Sequence, residues 1–411
     1  MNNFIDLFSG AGGLSEGFIK AGYSPIAHVE IDKFACDTLK TRAVYHYLKK
    51  NNQESLYYDY LHNKISRDEL WNSVPKEIID SVINIEISKK NLNHIFDLID
   101  KSLDNKNVDI IIGGPPCQAY SIAGRARDPN GMADDPRNHL YKFYAQFLKK
   151  YKPKMFVFEN VPGILSASNG EFLRKIFRSF KRAGYEMRIP PNNYLNAKNF
   201  NVLQDRKRVI MIGYTKEIDF KYPVFDEIDL KYTVGESLFS DLPKLNNGEG
   251  SLGVTKYLNP ITKYLAETQI RNGIDFTTQH IVRPNNDIDL EIYRIAVDLL
   301  LTEGKKLNYS DLPQRLIRHK NTTSFTNRFK VVNPNGVSST IVAHIAMDGH
   351  YFIHPDIKQN RSISVREAAR IQSFPDDYFF EGSRTAAYRQ IGNAVPPLMA
   401  EVIANKLKEF I

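Results

Sequence analysis

The most reactive arrangement in the sequence is a cysteine presented by a stiff loop. Cys117 ends the motif Gly-Gly-Pro-Pro-Cys, which follows an apolar run over residues 108–112. The run predicts a buried parallel strand, the glycines permit a sharp turn, and the prolines hold an extended exit. Ligands of open α/β sheets bind at the carboxyl ends of strands, where a thiolate can act as a nucleophile. The ordinary interpretation of a cysteine is a small buried hydrophobe, and the double proline disfavours it here.

An acid follows a second apolar run and is expected beside Cys117. Residues 154–158 predict another buried strand, and Glu159 and Asn160 come directly after it. Because parallel strands end at one edge of a sheet, we expect Glu159 to lie near Cys117. A carboxyl group in an apolar setting can hold a proton and donate it to a substrate. If Cys117 were absent, a turn or helix-cap role for Glu159 would be the better interpretation.

Three long polar side chains precede the strand that residues 209–214 predict. Alternation places Gln204, Arg206 and Arg208 on one face of the chain. Forked arginines on one face suit phosphate oxygens or the oxygen of a base. A solvated edge strand is the competing interpretation.

A glycine-rich turn and a later acid indicate a nucleotide-like ligand. Residues 4–8 predict a strand, Ser9-Gly-Ala-Gly-Gly13 follows, and residues 14–21 have helical spacing, so N–H groups are free for a ligand. Glu30 ends the next predicted strand, where a carboxylate can accept hydrogen bonds from ribose. The loop lacks the full GxGxxG pattern, but loop and acid together favour an adenosine-bearing cofactor over a tight turn. Glu86, at the end of a strand predicted over residues 81–87, is a candidate for the adenine amino group.

Size and composition bound the class of protein. A chain of 411 residues exceeds one ordinary core and predicts two domains. The net charge of +8 favours a polyanionic partner such as nucleic acid. Only two cysteines, Cys36 and Cys117, argue against a disulfide framework and predict a cytoplasmic setting, with Cys36 structural. The first residues enter a strand at once and no apolar run is long enough for a membrane span, so we expect neither a signal peptide nor a membrane partner.

The remaining segments carry weaker signals. Residues 45–79 predict an inserted helical segment, for which a solvated surface excursion is the default, and residues 121–136 a long loop whose Arg125 and Arg127 could reach phosphates. Residues 287–301 and 311–318 predict helices, and residues 324–353 short strands. Three histidines, His344, His350 and His354, lack ligands at metal spacing, so no metal site is expected. Ser364, with a glutamate three residues later, predicts a capped helix, residues 389–397 a turn, and residues 398–410 a last helix.

The motifs resemble, in order, those of the bacterial DNA (cytosine-5)-methyltransferases of restriction-modification systems. Asp6-Leu-Phe-Ser-Gly-Ala-Gly-Gly13 is similar to the family's cofactor loop, and Glu30 to its ribose acid. Gly114-Pro-Pro-Cys-Gln118 is similar to its nucleophile motif.

Four further motifs complete the resemblance. Glu159-Asn-Val is similar to the family's proton-donor motif, and Gln204-Asp-Arg-Lys-Arg208 to its cytosine-clamping motif. Residues 361–374 resemble the penultimate motif, and residues 390–397 the last one. One such motif would say little, whereas seven in the right order leave little room for chance.

The resemblance implies a fold and a domain plan. It implies an α/β fold, a Rossmann-like S-adenosylmethionine-dependent methyltransferase sheet with helices on both faces, plus a smaller mixed target-recognition domain. Residues 1–215 would form the catalytic and cofactor-binding domain, with the helical insert at about 45–80. Residues 216–384 would form the target-recognition domain, and residues 385–411 would return to the catalytic domain.

The resemblance also implies roles for individual residues. Cys117 would add to carbon 6 of cytosine, Glu159 would protonate or hydrogen-bond ring nitrogen 3, Arg206 and Arg208 would hold the base oxygen and the adjacent phosphate, and Asn160 would brace the site. Phe8 would stack on adenine, and the other expected contacts of S-adenosylmethionine, released as S-adenosylhomocysteine, are Ser9, Gly10, Ala11, Gly13, Leu14, Glu30, Ile31, Glu86, Pro115, Asn393 and Val395. The expected DNA contacts are Gln118, Ser121, Arg125, Arg127, Arg328, Ser339 and Thr340. The cytosine must leave the double-stranded DNA stack to be reached.

Three other functions compete with this interpretation. A tRNA cytosine methyltransferase of the same fold shares the catalytic motifs, and the substrate that accepts label would discriminate it. A catalytically silent DNA-binding protein would have no need of Cys117 and Glu159, and a hydride-transferring dehydrogenase has no use for Pro-Pro-Cys. We expect a monomer and a separate cognate restriction endonuclease, and the sequence identifies neither the recognised DNA sequence nor the role of the insert.

Overall fold

A sheet with helices on both faces forms the first half of the molecule. The structure, a computed structural model, describes residues 2–116, 136–225, 228–318 and 326–411. Within these ranges an eight-stranded sheet has the order β3-β2-β1-β4-β5-β9-β6, with β7 also paired to β9. The strands of this sheet are β1 (Asn3–Leu7), β2 (Ser24–Glu30), β3 (Val82–Asn84), β4 (Ile110–Gly113), β5 (Met155–Asn160), β6 (Tyr185–Arg188), β7 (Leu195–Asn196) and β9 (Lys207–Thr215).

Strand direction divides the sheet into two parts. Strands β3, β2, β1, β4 and β5 are parallel, and β9 runs antiparallel to β5 and β6. The chain order reverses between β1 and β4, which is where open α/β sheets bind ligands. A short strand β8 (Gln204–Asp205) leaves the sheet and pairs with β12 (Ser338–Ser339) far along the chain.

Alternate side chains of the buried strands reach opposite helix layers. Ile111 packs against the helices α6 (Leu92–Leu103), α7 (Leu140–Tyr151) and α8 (Glu171–Arg182). Ile110 and Ile112 face α1 (Gly13–Lys20) and α13 (Pro397–Leu407) on the other side. A Cβ atom added to Gly17 would lie 2.4 Å from Ala400 Cβ, so glycine lets α1 and α13 pack closely. The Rossmann-like sheet with two helix layers is thereby confirmed.

The inserted segment is helical, as expected, but it is not a solvated excursion. It continues α2 (Lys33–Lys50) into α3 (Ser55–Leu61), α4 (Arg67–Asn72) and α5 (Lys76–Asp80). Its side chains Tyr57, Leu61 and Leu70 are buried in a cluster that also contains Phe276. The insert therefore joins α2 to a distant part of the chain, and the expectation of a solvated excursion was wrong.

Residues 216–384, called here the post-sheet segment, contain few regular elements. Within its described part the strands are β10 (Val254–Lys256), β11 (Phe276–Thr278) and β12, the α-helices are α9 (Lys263–Glu267), α10 (Asp287–Glu303) and α11 (Val365–Ile371), and Val234–Phe239 forms a π-helix. The capping box of Ser364 and Glu367 begins α11 as predicted. The helix predicted over residues 311–318 is wrong, since short 3-10 turns occupy Tyr309–Asp311 and Gln314–Leu316.

The segment before the last helix is itself partly helical. Helix α12 (Arg384–Asn393) occupies the first half of the turn predicted over residues 389–397. Among the described residues, every helix is too short or too polar to cross a membrane. The domain boundaries stay a prediction.

Candidate active site

Four residues lie side by side at the carboxyl edge of the parallel strands. The register pairs Val29 with Leu7, Leu7 with Gly113, and Gly113 with Phe158. The residues that follow, Glu30, Phe8, Gly114 and Glu159, therefore come at the same level of four adjacent strands. This edge gathers the predicted cofactor acid, the glycine loop, the start of the cysteine motif and the predicted catalytic acid.

Glu159 forms an ion pair with Arg208. Strand β9 is antiparallel to β5, so Arg208, the second residue of β9, lies at the edge where β5 ends. Its Nε lies 2.8 Å from Glu159 Oε1, and the two side chains are 12% and 15% exposed. The apolar setting expected for Glu159 is thus wrong, because a guanidinium occupies one side of it. A partly exposed pair of this kind can open towards a planar ligand that offers both an oxygen and an amino group.

The first residues of the cysteine motif lie next to Glu159. A Cβ atom added to Gly114 would lie 2.5 Å from Glu159 Oε2, so a side chain at this position would displace the carboxylate. Asn160 is buried, accepts a hydrogen bond from Val161 N at 2.9 Å, and donates one to Pro115 O at 3.4 Å. Asn160 is therefore hydrogen-bonded to the start of the cysteine motif.

Arg206 does not share the position of Arg208. Its side chain is fully buried, and it donates to the carbonyl oxygens of Ile341 at 2.6 Å and Ala394 at 2.7 Å. Gln204 is also buried and donates to Ile371 O. The expectation that Arg206 contacts a base or a phosphate is wrong, because its buried guanidinium is bonded to these backbone carbonyl oxygens. Gln204 and Arg206 are buried while Asp205 and Lys207 are exposed, so the predicted alternation holds for these residues, but the face that carries Gln204 and Arg206 points into the protein.

The glycine loop and Glu30 form an open cradle. Glu30 accepts hydrogen bonds from Gly10 N at 2.8 Å and from Ile31 N at 2.8 Å. Phe8, Gly10 and Gly12 have positive φ values of 57°, 54° and 79°, which turn the loop over the strand end. A Cβ atom added to Gly10 would have no neighbour within 4 Å, so space is open beside the loop. A nucleoside with a ribose near Glu30 fits this cradle.

The other expected cofactor contacts surround the same loop. Ile31 is 62% exposed and offers a bare apolar surface next to Glu30, while Ser9, Ala11 and Leu14 are buried. A Cβ atom added to Gly13 would lie 2.3 Å from the carbonyl oxygen of Val395, so the last motif closes on the loop. Asn393 is exposed beside Val395, and Glu86 is exposed two residues beyond β3.

A buried acid under the loop was not singled out by sequence reasoning. Asp6 is 1% exposed, and its Oδ2 has no hydrogen-bond partner among the described residues. Burial and the nearby Glu30 charge raise the pKa of Asp6 well above its ordinary value. The only sequence signal was its place at the start of the glycine-loop motif. Cys36 is buried, as expected for a structural role, and burial raises the pKa of its thiol to about 12.

The predicted DNA contacts are only partly visible. Ser339 pairs with Asp205 through β12, and the Thr340 hydroxyl donates to Asp205 O at 2.6 Å. The Arg328 guanidinium lies 4.1 Å from the centre of the Tyr309 ring. The other predicted DNA contacts, Gln118, Ser121, Arg125 and Arg127, lie outside the described residues, as does the predicted nucleophile Cys117. Among the described residues, no group of three or more potential metal ligands occurs.

Comparison with known proteins gives one consistent family. The model of the C-5 cytosine-specific DNA methylases matches residues 2–75 and 76–409. The type II methyltransferase M.Bpa9945I of Bacillus paralicheniformis is 41% identical, covering 99% of this chain and 98% of its own. M1.HphI, a type II methyltransferase of Haemophilus parahaemolyticus, is 33% identical over 98% of this chain and 85% of its own.

Solved structures share the fold. A protein described as a DNA modification methyltransferase encoded within an E. coli prophage superposes with a TM-score of 0.64 and 23% identity, covering 100% of this chain and 99% of its own. The Dnmt2 methyltransferase of S. pombe superposes with a TM-score of 0.50 and 16% identity, covering 100% and 99% of the two chains. At these identities the superpositions establish the architecture alone.

Proposed function

Because this chain belongs to the C-5 cytosine-specific DNA methylases, we propose that it methylates a cytosine flipped out of double-stranded DNA, through a covalent adduct with Cys117. The observation that carries the proposal is the shared level of Glu30, Gly114 and Glu159 at one sheet edge. At that edge the nucleoside cradle follows β1 and β2, the cysteine motif begins after the neighbouring strand β4, and the carboxylate–guanidinium pair lies on the next two strands, β5 and β9.

The chemistry needs a nucleophile because carbon 5 of cytosine is unreactive by itself. The Cys117 thiolate forms a bond to carbon 6, and the electrons of the 5,6 double bond move to carbon 5. Carbon 5 would then take the methyl group from the sulfonium of S-adenosylmethionine, the S–CH3 bond breaking with its electron pair left on sulfur, and a water molecule removes the carbon 5 proton. The electron pair of that C–H bond restores the 5,6 double bond and expels Cys117 as thiolate.

Glu159 and Arg208 hold the base in this scheme. The base enters between them, Arg208 donates to the carbonyl oxygen of cytosine, and Glu159 binds the edge that carries nitrogen 3 and the amino group. Sharing a proton with nitrogen 3 stabilises the charge that develops when the thiolate adds. Asn160 keeps the cysteine motif in place through Pro115 O. Arg206 has a positioning role here, because it lies just before β9, the strand that carries Arg208, and its hydrogen bond to Ala394 O links this segment to the residues beside the cofactor loop.

The cradle is assigned to S-adenosylmethionine. Glu30 holds the ribose, Phe8 and Ile31 contact the adenine, and Gly10, Gly13 and Val395 shape the part of the pocket for the methionine moiety. Glu86 and Asn393, both exposed at this edge, complete the set. S-adenosylmethionine, when bound, supplies the electrophilic methyl group and leaves as S-adenosylhomocysteine.

Bisulfite sequencing of DNA from cells that express the chain tests this proposal. We expect protected cytosines within one short sequence motif, and none in cells that express Cys117→Ser. Protection that persists in Cys117→Ser would contradict the covalent mechanism. If wild-type protein binds S-adenosylhomocysteine but protects no cytosine, the DNA assignment is wrong, and RNA becomes the substrate to test.

The protective role is a separate part of the proposal. Type II methyltransferases are named for their pairing with a restriction activity, and the two relatives above carry that name. Once the methylated motif is known, purified plasmid from expressing cells is challenged with a nuclease that cuts that motif. Resistance supports a protective function for the host DNA, and cutting at the same rate as unmethylated plasmid contradicts it.

A further inference from the structure

The cofactor loop is supported from behind by a residue of the post-sheet segment. The Tyr378 hydroxyl donates a hydrogen bond to the carbonyl oxygen of Ala11. A Cβ atom added to Gly12 would lie 3.0 Å from the same hydroxyl. Phe8 holds a positive φ value, which a residue other than glycine keeps only when its surroundings enforce it. Tyr378 is part of that enforcement.

The residue before Tyr378 binds the two helices that frame the loop. Asp377 is fully buried, and its Oδ1 accepts a bond from Arg42 Nη1 at 3.0 Å. Arg42 lies on α2, and its other nitrogens contact the Glu16 carboxylate on α1 at 3.0 and 2.6 Å. Burial alone raises the pKa of Glu16, but the Arg42 and His46 charges hold that pKa well below its ordinary range. Glu16 N in turn donates to Gly12 O at 2.7 Å.

Asp377 is itself held by a residue more than a hundred positions earlier. Asn272 lies between α9 and β11, and its Nδ2 donates to Asp377 Oδ2 at 2.6 Å. Tyr57 of the insert donates to Asp377 O at 2.7 Å. The two oxygens of one buried carboxylate thus connect Asn272 on one side with Arg42 on the other. Asn272 is half-buried, whereas Tyr378 is almost fully buried.

We propose that Asn272 and Tyr378 are positioning residues for the cofactor loop, so that the predicted recognition domain completes the S-adenosylmethionine site. The inference rests on the proposed function, because it takes that cofactor as the ligand of the loop. Asn272 fixes Asp377, the adjacent Tyr378 holds Ala11 O, and Arg42 fixes the helix that follows the loop. Removing the Asn272 bond releases one end of this series of contacts and leaves the residues that face the cofactor unchanged.

Calorimetric titration of the full chain with S-adenosylhomocysteine, without DNA, tests the inference. We expect Asn272→Ala and Tyr378→Phe each to weaken binding by about three- to tenfold. Because the two act through one chain of contacts, we expect the double variant to be no weaker than the weaker single variant, which is strong non-additivity. A purely structural effect on stability would instead give independent losses that multiply.

Tyr257→Phe is the matched control. The Tyr257 hydroxyl donates to Asp376 Oδ2 at 2.6 Å, the same length as the Asn272 bond, on the residue next to Asp377. Asp376 pairs with Arg370, and among the described residues it makes no hydrogen bond to the cofactor loop, so binding should stay within twofold of wild type. Tyr378→Phe keeps the ring and its packing, so it serves as the folded variant if Asn272→Ala fails to fold.

Two results overturn the inference. One is S-adenosylhomocysteine affinity within twofold of wild type for folded Tyr378→Phe or Asn272→Ala. The other is a double variant whose loss equals the product of the single losses. These outcomes are distinct from failure of the proposed function, which the bisulfite experiment reports, since a chain that methylates nothing but binds S-adenosylhomocysteine still gives this test a result.

Discussion

The carboxyl edge of the sheet and the post-sheet segment hold their residues in place by different means. At the sheet edge, a continuous strand register places Glu30, Gly114 and Glu159 at one level. The post-sheet segment has only short elements, and buried arginines take over. Arg361, Arg366 and Arg370 are all fully buried.

Those arginines replace a backbone ladder. Arg366 donates to the carbonyl oxygens of Thr278, Pro375 and Tyr378, and Arg283 donates to three carbonyls between Ile345 and Met347. A buried carbonyl without a partner is costly, and a guanidinium offers five donors in a fixed plane. Where strands are absent, arginine side chains therefore satisfy the loop backbone. The comparison predicts that changes at the sheet edge cost activity, while changes at the arginines cost stability.

The largest expected effect is on catalysis, from Glu159→Gln. The amide keeps the shape of the side chain but loses the charge that pairs with Arg208, and it is a poor partner for a proton at nitrogen 3. We expect kcat to fall about a thousandfold, in the range seen when one acid–base group or stabilising donor is removed. Transfer of labelled methyl groups to DNA measures this.

Glu159→Gln should cost clearly less stability than a change at Arg370, because water reaches Arg208 and Glu159, which are 12% and 15% exposed, whereas Arg370 and its partners are fully buried. The control is Glu186→Gln on β6, an acid of the same sheet whose side chain is 43% exposed. We expect it to retain wild-type activity. If the urea midpoint of Glu159→Gln fell as far as that of a variant at Arg370, the distinction between the two regions would be wrong.

The next effect is on stability, from Arg370→Met. Arg370 pairs with Asp241 and with Asp376 at 2.6 Å, and all three side chains are fully buried. Removing the cation leaves two buried carboxylates without it, which costs about 3–5 kcal/mol in the free energy of unfolding. Urea unfolding followed by circular dichroism measures the loss.

Arg315→Met is the matched control for Arg370→Met. Arg315 pairs with Glu291, but its side chain is 64% exposed. Exposed pairs contribute about 1 kcal/mol or less, so the urea midpoint should barely move. Equal losses for the two variants would show that burial of the arginine is not what stabilises the post-sheet segment.

The two regions also differ in how far the sequence predicts them. The sheet edge was predictable because each signal is local: Glu30 and Glu159 each end an apolar run, and Gly114 lies within its own motif. In the other region, Arg370 has one partner six residues away, Asp376, but the second, Asp241, lies 129 residues away. Nothing in either local sequence marks such a pair, so the arginine-held structure was not foreseen.

The same limit explains the errors at the site. Arg206 resembles Arg208 in sequence, yet its carbonyl partner Ile341 lies 135 residues away and draws it inward. The many tyrosines and charged residues of the insert favour a solvated segment, but the hydrogen-bond partner of Tyr57 is Asp377 O, which lies 320 residues away. Local patterns predict strands and caps, whereas burial of a polar residue depends on partners that only the fold brings close.

A third prediction compares the two regions through pH. Burial lowers the pKa of His28 on β2 to about 4, and burial together with Arg361 lowers the pKa of His354 to about 3. The folded protein keeps both rings neutral, while the unfolded chain binds protons below about 6.5. Their stabilising contribution is therefore present above pH 6.5 and lost as the pH falls through 5 towards 4 and 3. The slope is about 1.4 kcal/mol per pH unit for each histidine.

Single substitutions separate the two histidines. His28→Gln and His354→Gln should each reduce the slope of unfolding free energy against pH, measured between pH 6.5 and 5, by about one proton's worth. His62→Gln, at an exposed position, is the control and should leave the slope unchanged. A reduced slope for only one variant would show that the two regions exclude protons unequally.

The smallest effect comes from one motif used in both settings. Capping boxes begin α4, at Ser66 and Glu69, and α11, at Ser364 and Glu367. Ser66 is exposed and caps only its own helix, so Ser66→Ala should lower the free energy of unfolding by about 0.5–1 kcal/mol. Ser364 is fully buried, and its hydroxyl also lies 2.9 Å from His280 Nδ1. Ser364→Ala removes the cap and also leaves a buried ring nitrogen without its partner, so the loss should reach about 2 kcal/mol. Urea unfolding of the two alanine variants measures the difference, and equal losses would mean that capping alone, without the buried network, accounts for the stability of α11.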